Sequence, residues 1–130
     1  MIILSVKTDQ PVAEIEVYEN TSKIDGISWE AHRQLADTIH KKILELIQRN
    51  NLEINNVSGV ICFKGPGSFT GLRIGASIVN ALGYSLNIPV VGMMGNNWQV
   101  NGAKSLLAGE NHKTIIPEYG GEANITLPKK

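Results

Sequence analysis

Three things are scarce in this chain: cysteine, surplus charge and long apolar runs. Among 130 residues there is one cysteine, Cys62, which excludes a disulfide framework. It falls in a predicted buried strand and reads as a small core residue rather than a nucleophile. Twelve basic residues cancel twelve acidic ones and the pI is about 6.8. That leaves no electrostatic footprint for tight, direct nucleic-acid binding, although a local patch stays open. No stretch approaches the roughly 18 apolar residues of a membrane span, and Arg73, Asn80 and Asn87 interrupt the most apolar segment. No signal or targeting segment is visible, so a cytoplasmic location is expected. Metal-ligand spacings are missing as well. His32 and His40 share a predicted helix face but sit about 12 Å apart, too far for one ion. Each reads as a surface or partner-contact residue, and His112, in a polar stretch, as solvated.

What the chain does have is a glycine-rich turn. Gly65-Pro66-Gly67-Ser68-Phe69-Thr70-Gly71-Leu72-Arg73-Ile74-Gly75 is entered by a strand-like run and left by a helix-like one. Gly65 and Gly67 permit backbone paths that a β-carbon forbids, Pro66 stiffens the turn, and Ser68 or Thr70 can cap the helix that follows. Gly71 and Gly75 inside that helix each cost about 1 kcal/mol relative to alanine, which another backbone lying unusually close would offset. Gly71, Gly75, Val79 and Gly83 recur every four residues with Ala76 beside them, while Leu72, Ile78, Leu82 and Leu86 supply bulk elsewhere. The bare stripe predicts a helix–helix interface. A bound phosphate is the rival explanation, since a strand, a glycine turn and a helix N-terminus form an anion site. The match to known phosphate loops is weak, because Lys64 precedes the glycines where a Walker loop needs Gly-Lys-Ser/Thr after them.

Along the chain, Ile2, Ile3, Leu4 and Val6 and then Val12, Ile15 and Val17 read as two strands joined by a turn at Asp9-Gln10-Pro11. A third strand is expected near Ile24 to Ser28. From Trp29 to about Arg49, Leu35, Ile39, Ile43, Leu46 and Ile47 fall at helical steps, with Ser28 as the cap. Strand Val57 to Phe63, the glycine turn, its helix to Leu86 and a short strand at Pro89 to Gly92 complete the order ββ(β)αβαβ. The crossover helix demands parallel strands and the opening hairpin antiparallel ones, so the sheet is predicted to be mixed, with helices packed on it. Trp98 to Leu107 reads as a weak helix, and Ile115 to Tyr119 and Thr126 to Lys130 as an extended tail. Candidate chemistry is sparse. Ser68 has no histidine or acid tied to it and is explained by capping, and Glu14 and Glu16 share one strand face that reads as solvated.

The undecapeptide from Gly65 to Gly75, followed at the proper distance by Asn87-Ile88-Pro89-Val90-Val91-Gly92, resembles the TsaB (YeaZ) family. The resemblance covers residues 1–95, including the helix that carries His32, and leaves 96–130 as a weak helix and tail packed on the same domain. It implies an α/β fold: a single actin-like ATPase (RNase H-like) lobe. It also implies a non-catalytic partner of TsaD, the subunit that transfers a threonylcarbamoyl group to tRNA adenosine with help from the ATPase TsaE. tRNA would be met only indirectly. Two departures agree with a pseudoenzyme without cofactor or metal. Lys7 stands where nucleotide-binding relatives carry an Asp, and Gly95 and Gln99 fall where TsaD has its His-x-x-x-His ligands. The family's second lobe is missing, and the resemblance of Ile116 to Lys130 to the family's tail suggests an internal loss. The implied partner interface comprises His32, Ala36, Ile39, Ile43, Gly71, Leu72, Gly75, Ala76, Val79 and Gly83. Gly65, Pro66, Gly67, Ser68 and Thr70 form the structural turn. A homodimer through the same surface is expected when the partner is absent. An ATP- or phosphate-binding hydrolase, a glycoprotease-like peptidase, and a self-associating module unrelated to tRNA stand as alternatives.

Overall fold

Alternating apolar residues in the first thirty positions build three antiparallel strands, β1 (Ile2–Lys7), β2 (Val12–Glu19) and β3 (Ser22–Glu30). The computed structural model describes residues 1–120. Strand β4 (Val57–Phe63) lies parallel to β1, with Leu4 opposite Val60, and β5 (Val90–Met93) lies parallel to β4. The result is one mixed sheet in the order β3-β2-β1-β4-β5. It is the α/β, RNase H-like arrangement expected.

Helices cover the two faces unequally. On one face α1 (Leu35–Arg49) and α2 (Phe69–Leu86) bury Leu35, Ile39, Ile43, Leu46, Ile47, Ala76 and Val79 against Leu4, Val6, Ile15, Val17, Val60 and Cys62. On the other, α3 (Trp98–Leu107) sets Trp98, Ala103 and Leu106 against Ile3, Tyr18, Ile61 and Val91. At roughly 1.5–3 kcal/mol per fully buried large aliphatic side chain, the first layer holds most of the hydrophobic stabilisation.

Two predicted boundaries move. Strand β3 runs on to Glu30, and α1 begins only at Leu35, after a short 3₁₀ turn at His32–Gln34. Ser28 is therefore a strand residue and no cap, and α1 starts without a side-chain cap. Eight residue pairs with β2 outweigh the helix-compatible letters at Trp29 and Glu30. Trp29 still serves the helix, since its indole N–H donates to Thr38 Oγ1 at 3.0 Å.

The glycine stripe on α2 faces inward, correcting the interface predicted for it. Thr8, just beyond β1, sits in a saddle made by Gly71 and Gly75. Its Oγ1 donates to the Gly71 carbonyl at 2.7 Å, and a β-carbon on Gly71 would strike the Thr8 carbonyl oxygen, one on Gly75 its Oγ1. A β-carbon on Gly83 would come within 2.7 Å of Val90 Cγ1. Leu72 and Val79 are 1% and 0% exposed, and Gly75, Ala76, Ile39 and Ile43 are buried with them. The close backbone that offsets the glycines belongs to the chain itself. Ser68 caps the helix, its Oγ accepting from the Gly71 amide at 3.3 Å, and Asn87 ends it in the left-handed region at φ 55°.

After α3, residues 111–119 form a strap without regular structure along the outer edge of β5. The Val90 amide donates to Asn111 Oδ1, the Val90 carbonyl accepts from the His112 amide, and the Gly92 amide donates to His112 Nδ1. His112 is therefore bonded rather than merely solvated. Asn80 of α2 grips Ile115 through both its amide and its carbonyl, at 2.7 and 3.1 Å. The tail expected at Thr126 to Lys130 lies outside the described residues.

Gly75→Ala is expected to destabilise the fold by about 1–3 kcal/mol, the usual cost of overpacking, read as a lower urea midpoint. An unchanged midpoint would show that α2 can step back from Thr8 at no cost.

Candidate functional site

Turning α2 by two residues, about 200° of helix, moves from the buried stripe to its opposite side. There Arg73, Ser77, Ala81 and Ser85 again recur every four positions, and all four are exposed. They border a channel between α2 and α1. Near the head of α2 it is lined by Ala36, Thr70, Arg73, Ile74, Ser77 and Ile78 and encloses about 430 Å³. Farther along, Ile78, Ala81, Leu82, Tyr84 and Ser85 face His40, Ile43 and Leu44 across a second stretch of about 380 Å³. Ile78 lines both, so the two stretches adjoin.

The channel follows from side-chain size. Alanine and serine at 36, 77, 81 and 85 cannot fill the space between two helices whose large residues are committed to the sheet. The floor is apolar, with Ile74 and Ile78 half-buried, and the rim is polar. Tyr84, 91% exposed, stands at the far end. At the near end Arg73 lies over the Phe69 ring at 5.4 Å, and Tyr119 of the strap stacks on the same ring at 4.4 Å between centroids. The aromatics and arginine at its ends are residue types enriched in protein-binding faces, while its alanines and serines, which are not, leave the apolar floor open.

Of the predicted interface residues, His32 and Ala36 are exposed, and Ala36 lines the channel. His32 lies in the 3₁₀ turn before α1, on the rim of a neighbouring depression. Ile43 reaches the channel floor while packing in the core. Ile39, Ala76 and Val79 face the sheet, Leu72 is buried beside Gly65 and Gly75 against Thr8, and Gly71 and Gly83 are half-buried against Thr8 and Val90. His40 stands where a surface or partner-contact residue was expected, whereas Ser77, Ala81, Ser85, Tyr84 and Leu44 were not anticipated. The signal for Ser77, Ala81 and Ser85 was the second four-residue stripe, present in the same helix.

The glycine turn offers an anion little room. Gly67 lies on Asp9, whose carbonyl accepts from the Ser68 amide at 2.9 Å, and Gly65, at φ 129°, passes the Glu118 carbonyl. The Asp9 carboxylate is paired with Lys7 Nζ at 2.7 Å, so the positive charge there is already matched by a buried negative one. Thr70 is exposed in the first turn of α2. Beyond the ends of β1, β4 and β5 a crevice of about 480 Å³ is lined by Lys7, Phe63, Pro66 and Gly95–Gln99. The Gln99 amide donates to Glu16 Oε1 at 3.3 Å. Glu16 also accepts from the Tyr18 hydroxyl at 2.6 Å and pairs with Lys23 at 3.1 Å, so it is engaged rather than solvated. Among the described residues no three His, Cys, Asp or Glu side chains converge on a point that could hold a metal.

The family model described as "TsaD: tRNA N6-adenosine threonylcarbamoyltransferase" matches residues 16–112. The tRNA threonylcarbamoyladenosine biosynthesis protein TsaB of Buchnera aphidicola subsp. Acyrthosiphon pisum is 32% identical over 90 residues, covering 69% of this chain and 40% of that protein. Among solved structures, YeaZ from Pseudomonas aeruginosa superposes with a TM-score of 0.66 at 20% identity, over 72% of this chain and 43% of the other. RuvC of T. thermophilus, in complex with a Holliday junction substrate, gives 0.51 at 13% identity over 72% and 64%. At these identities the structural matches speak for the fold alone. The chain thus spans about two-fifths of the length of TsaB and YeaZ relatives it matches.

Burial pushes the Cys62 thiol up to about 12. In the native state at pH 8 it is expected to resist a thiol-reactive dye and to label fully in 8 M urea, on the order of the denaturant needed to unfold a domain this size. Rapid native labelling would contradict a closed layer between α2 and the sheet.

Proposed function

The chain belongs to the family described by the TsaD model, within it to TsaB (YeaZ), and we propose that it acts as a non-catalytic scaffold in threonylcarbamoyladenosine modification of tRNA. In this reading it binds a TsaD-like catalytic subunit and supports that partner's active site. The observation that carries the proposal is the exposed α1–α2 channel of small side chains over an apolar floor. Two helices of the partner laid along it would bury Ile74, Ile78 and Tyr84 and complete a four-helix seam. The TsaE-like ATPase would join the larger cytoplasmic assembly, and tRNA would be contacted through the partner.

The non-catalytic part of the reading draws on the residues themselves. Lys7 and Asp9 neutralise one another at the carboxyl end of β1, and Gly95 and Gln99 replace metal ligands with a bare backbone and a bonded amide. A peptidase or ATP hydrolase would need a nucleophile, base or cation held at such a position. In the absence of partner, the same channel would pair two copies of the chain.

The clean probe is a substitution on the outward stripe, since Gly75 reports on folding. Ala81→Trp is expected to keep the unfolding free energy, read by urea denaturation, within about 0.5 kcal/mol of wild type, as exposed sites do. The same variant should weaken co-purification and binding to the cognate TsaD-like subunit about 30-fold or more, or roughly 2 kcal/mol. Wild-type affinity in a folded variant would place the interface elsewhere. Calorimetry with ATP and magnesium on the isolated chain should show no binding heat; saturable binding would favour the hydrolase.

A further inference from the structure

Strand β3, nine residues long, is the free margin of the sheet on the side away from β5, and among the described residues no strand pairs with its outer side. Such an edge is a template for pairing with another chain unless something blocks it. Here the block is local. Arg49, the last residue of α1, reaches over the edge with a two-pronged grip on Asp25, Nε to Oδ2 at 2.7 Å and Nη2 to Oδ1 at 2.9 Å. The same Nη2 donates to the Gly26 carbonyl at 2.9 Å, the Gly26 amide donates to Asp25 Oδ1 at 2.8 Å, and Asn50 Nδ2 donates to Asp25 Oδ2 at 2.9 Å. Both outward main-chain groups of Gly26 are thereby consumed, and a guanidinium lies across the strand.

We propose that this Asp25–Arg49–Asn50 clasp guards a second interaction surface, and that opening it lets the β3 edge pair antiparallel with the β3 edge of another copy of this chain. The choice of occupant comes from the strand itself. Because Gly26 points its amide and carbonyl outward, strand alternation points those of Ser28 and Glu30 outward too. An antiparallel pair centred on Ser28 sets Ser28 against Ser28 and Gly26 against Glu30, so every outward group meets another outward group. The same register brings Ile27 opposite Trp29 twice, an aromatic and a β-branched side chain on the face that packs against the core. Gly26 is thus required for the register, and the clasp withdraws it. Arg49 first, then Asn50 and the Gly26 amide, hold the Asp25 carboxyl well below the usual carboxylate range, so the grip is closed at neutral pH.

Sedimentation of Arg49→Ala tests the inference. Its mass is expected to rise above that of wild type with concentration in the tens to hundreds of micromolar, roughly the range of a weak strand pairing. Adding Ser28→Pro, which removes one outward amide at a position an edge strand tolerates, should return the double variant to wild-type mass. Should Arg49→Ala fold poorly, Arg49→Lys keeps the charge and loses the fork, and should associate in the same way. In wild-type protein, hydrogen exchange should find the Gly26 amide protected and the Ser28 amide open, with Ser28 gaining protection in the variant. A folded Arg49 variant that keeps wild-type mass, or an association that Ser28→Pro leaves intact, overturns the proposal.

Discussion

The contact on which the architecture turns is the seat of Thr8 between Gly71 and Gly75. It brings the first turns of α2 against the end of β1 at a distance that no side chain on the helix would allow. Once that distance is set, the rotation of α2 is set too. Ala76 and Val79 must enter the layer above β1 and β4, and residues 73, 77, 81 and 85 must leave it. The inner stripe of small residues makes the fold, and the outer stripe lines the exposed channel. The two are separated by half a helical turn and are chemically almost alike.

That likeness explains what sequence could and could not reveal. Strand alternation, the helical spacing from Leu35 to Ile47 and the crossover at the glycine turn were legible, because each is a repeat within one element. So was the mixed sheet, since a crossover and a hairpin permit nothing else. The direction of the glycine stripe was not legible. A run of glycines states that something lies near and is silent on whether it is a partner's helix or the chain's own Thr8. Arg49, Asp25 and Asn50 were invisible for a related reason: they are 24 and 25 residues apart, and only the packing of α1 brings them together. Ser28 misled because its preference for capping is a local one, and pairing with β2 is a tertiary decision.

In the crevice at the carboxyl ends of the strands the polar groups turn to one another. Lys7 lies 5.0 Å above the Phe63 ring and is tied to Asp9, and Gln99 turns back to Glu16. Lys7 and Gln99 are each satisfied by a neighbour in the same chain. Groups so engaged stabilise the lobe but are poor reagents, because a ligand would have to break a bond for each one it formed.

The two margins of the sheet are finished with different materials. The β5 side is stitched by neutral amides and an imidazole lone pair from Asn80, Asn111 and His112, whereas the β3 side is closed by a solvent-facing ion pair. Dissolved salt screens the latter far more than the former. Raising the ionic strength therefore loosens this molecule from one flank only, and a rise in salt would be felt as a lateral asymmetry rather than as a general softening.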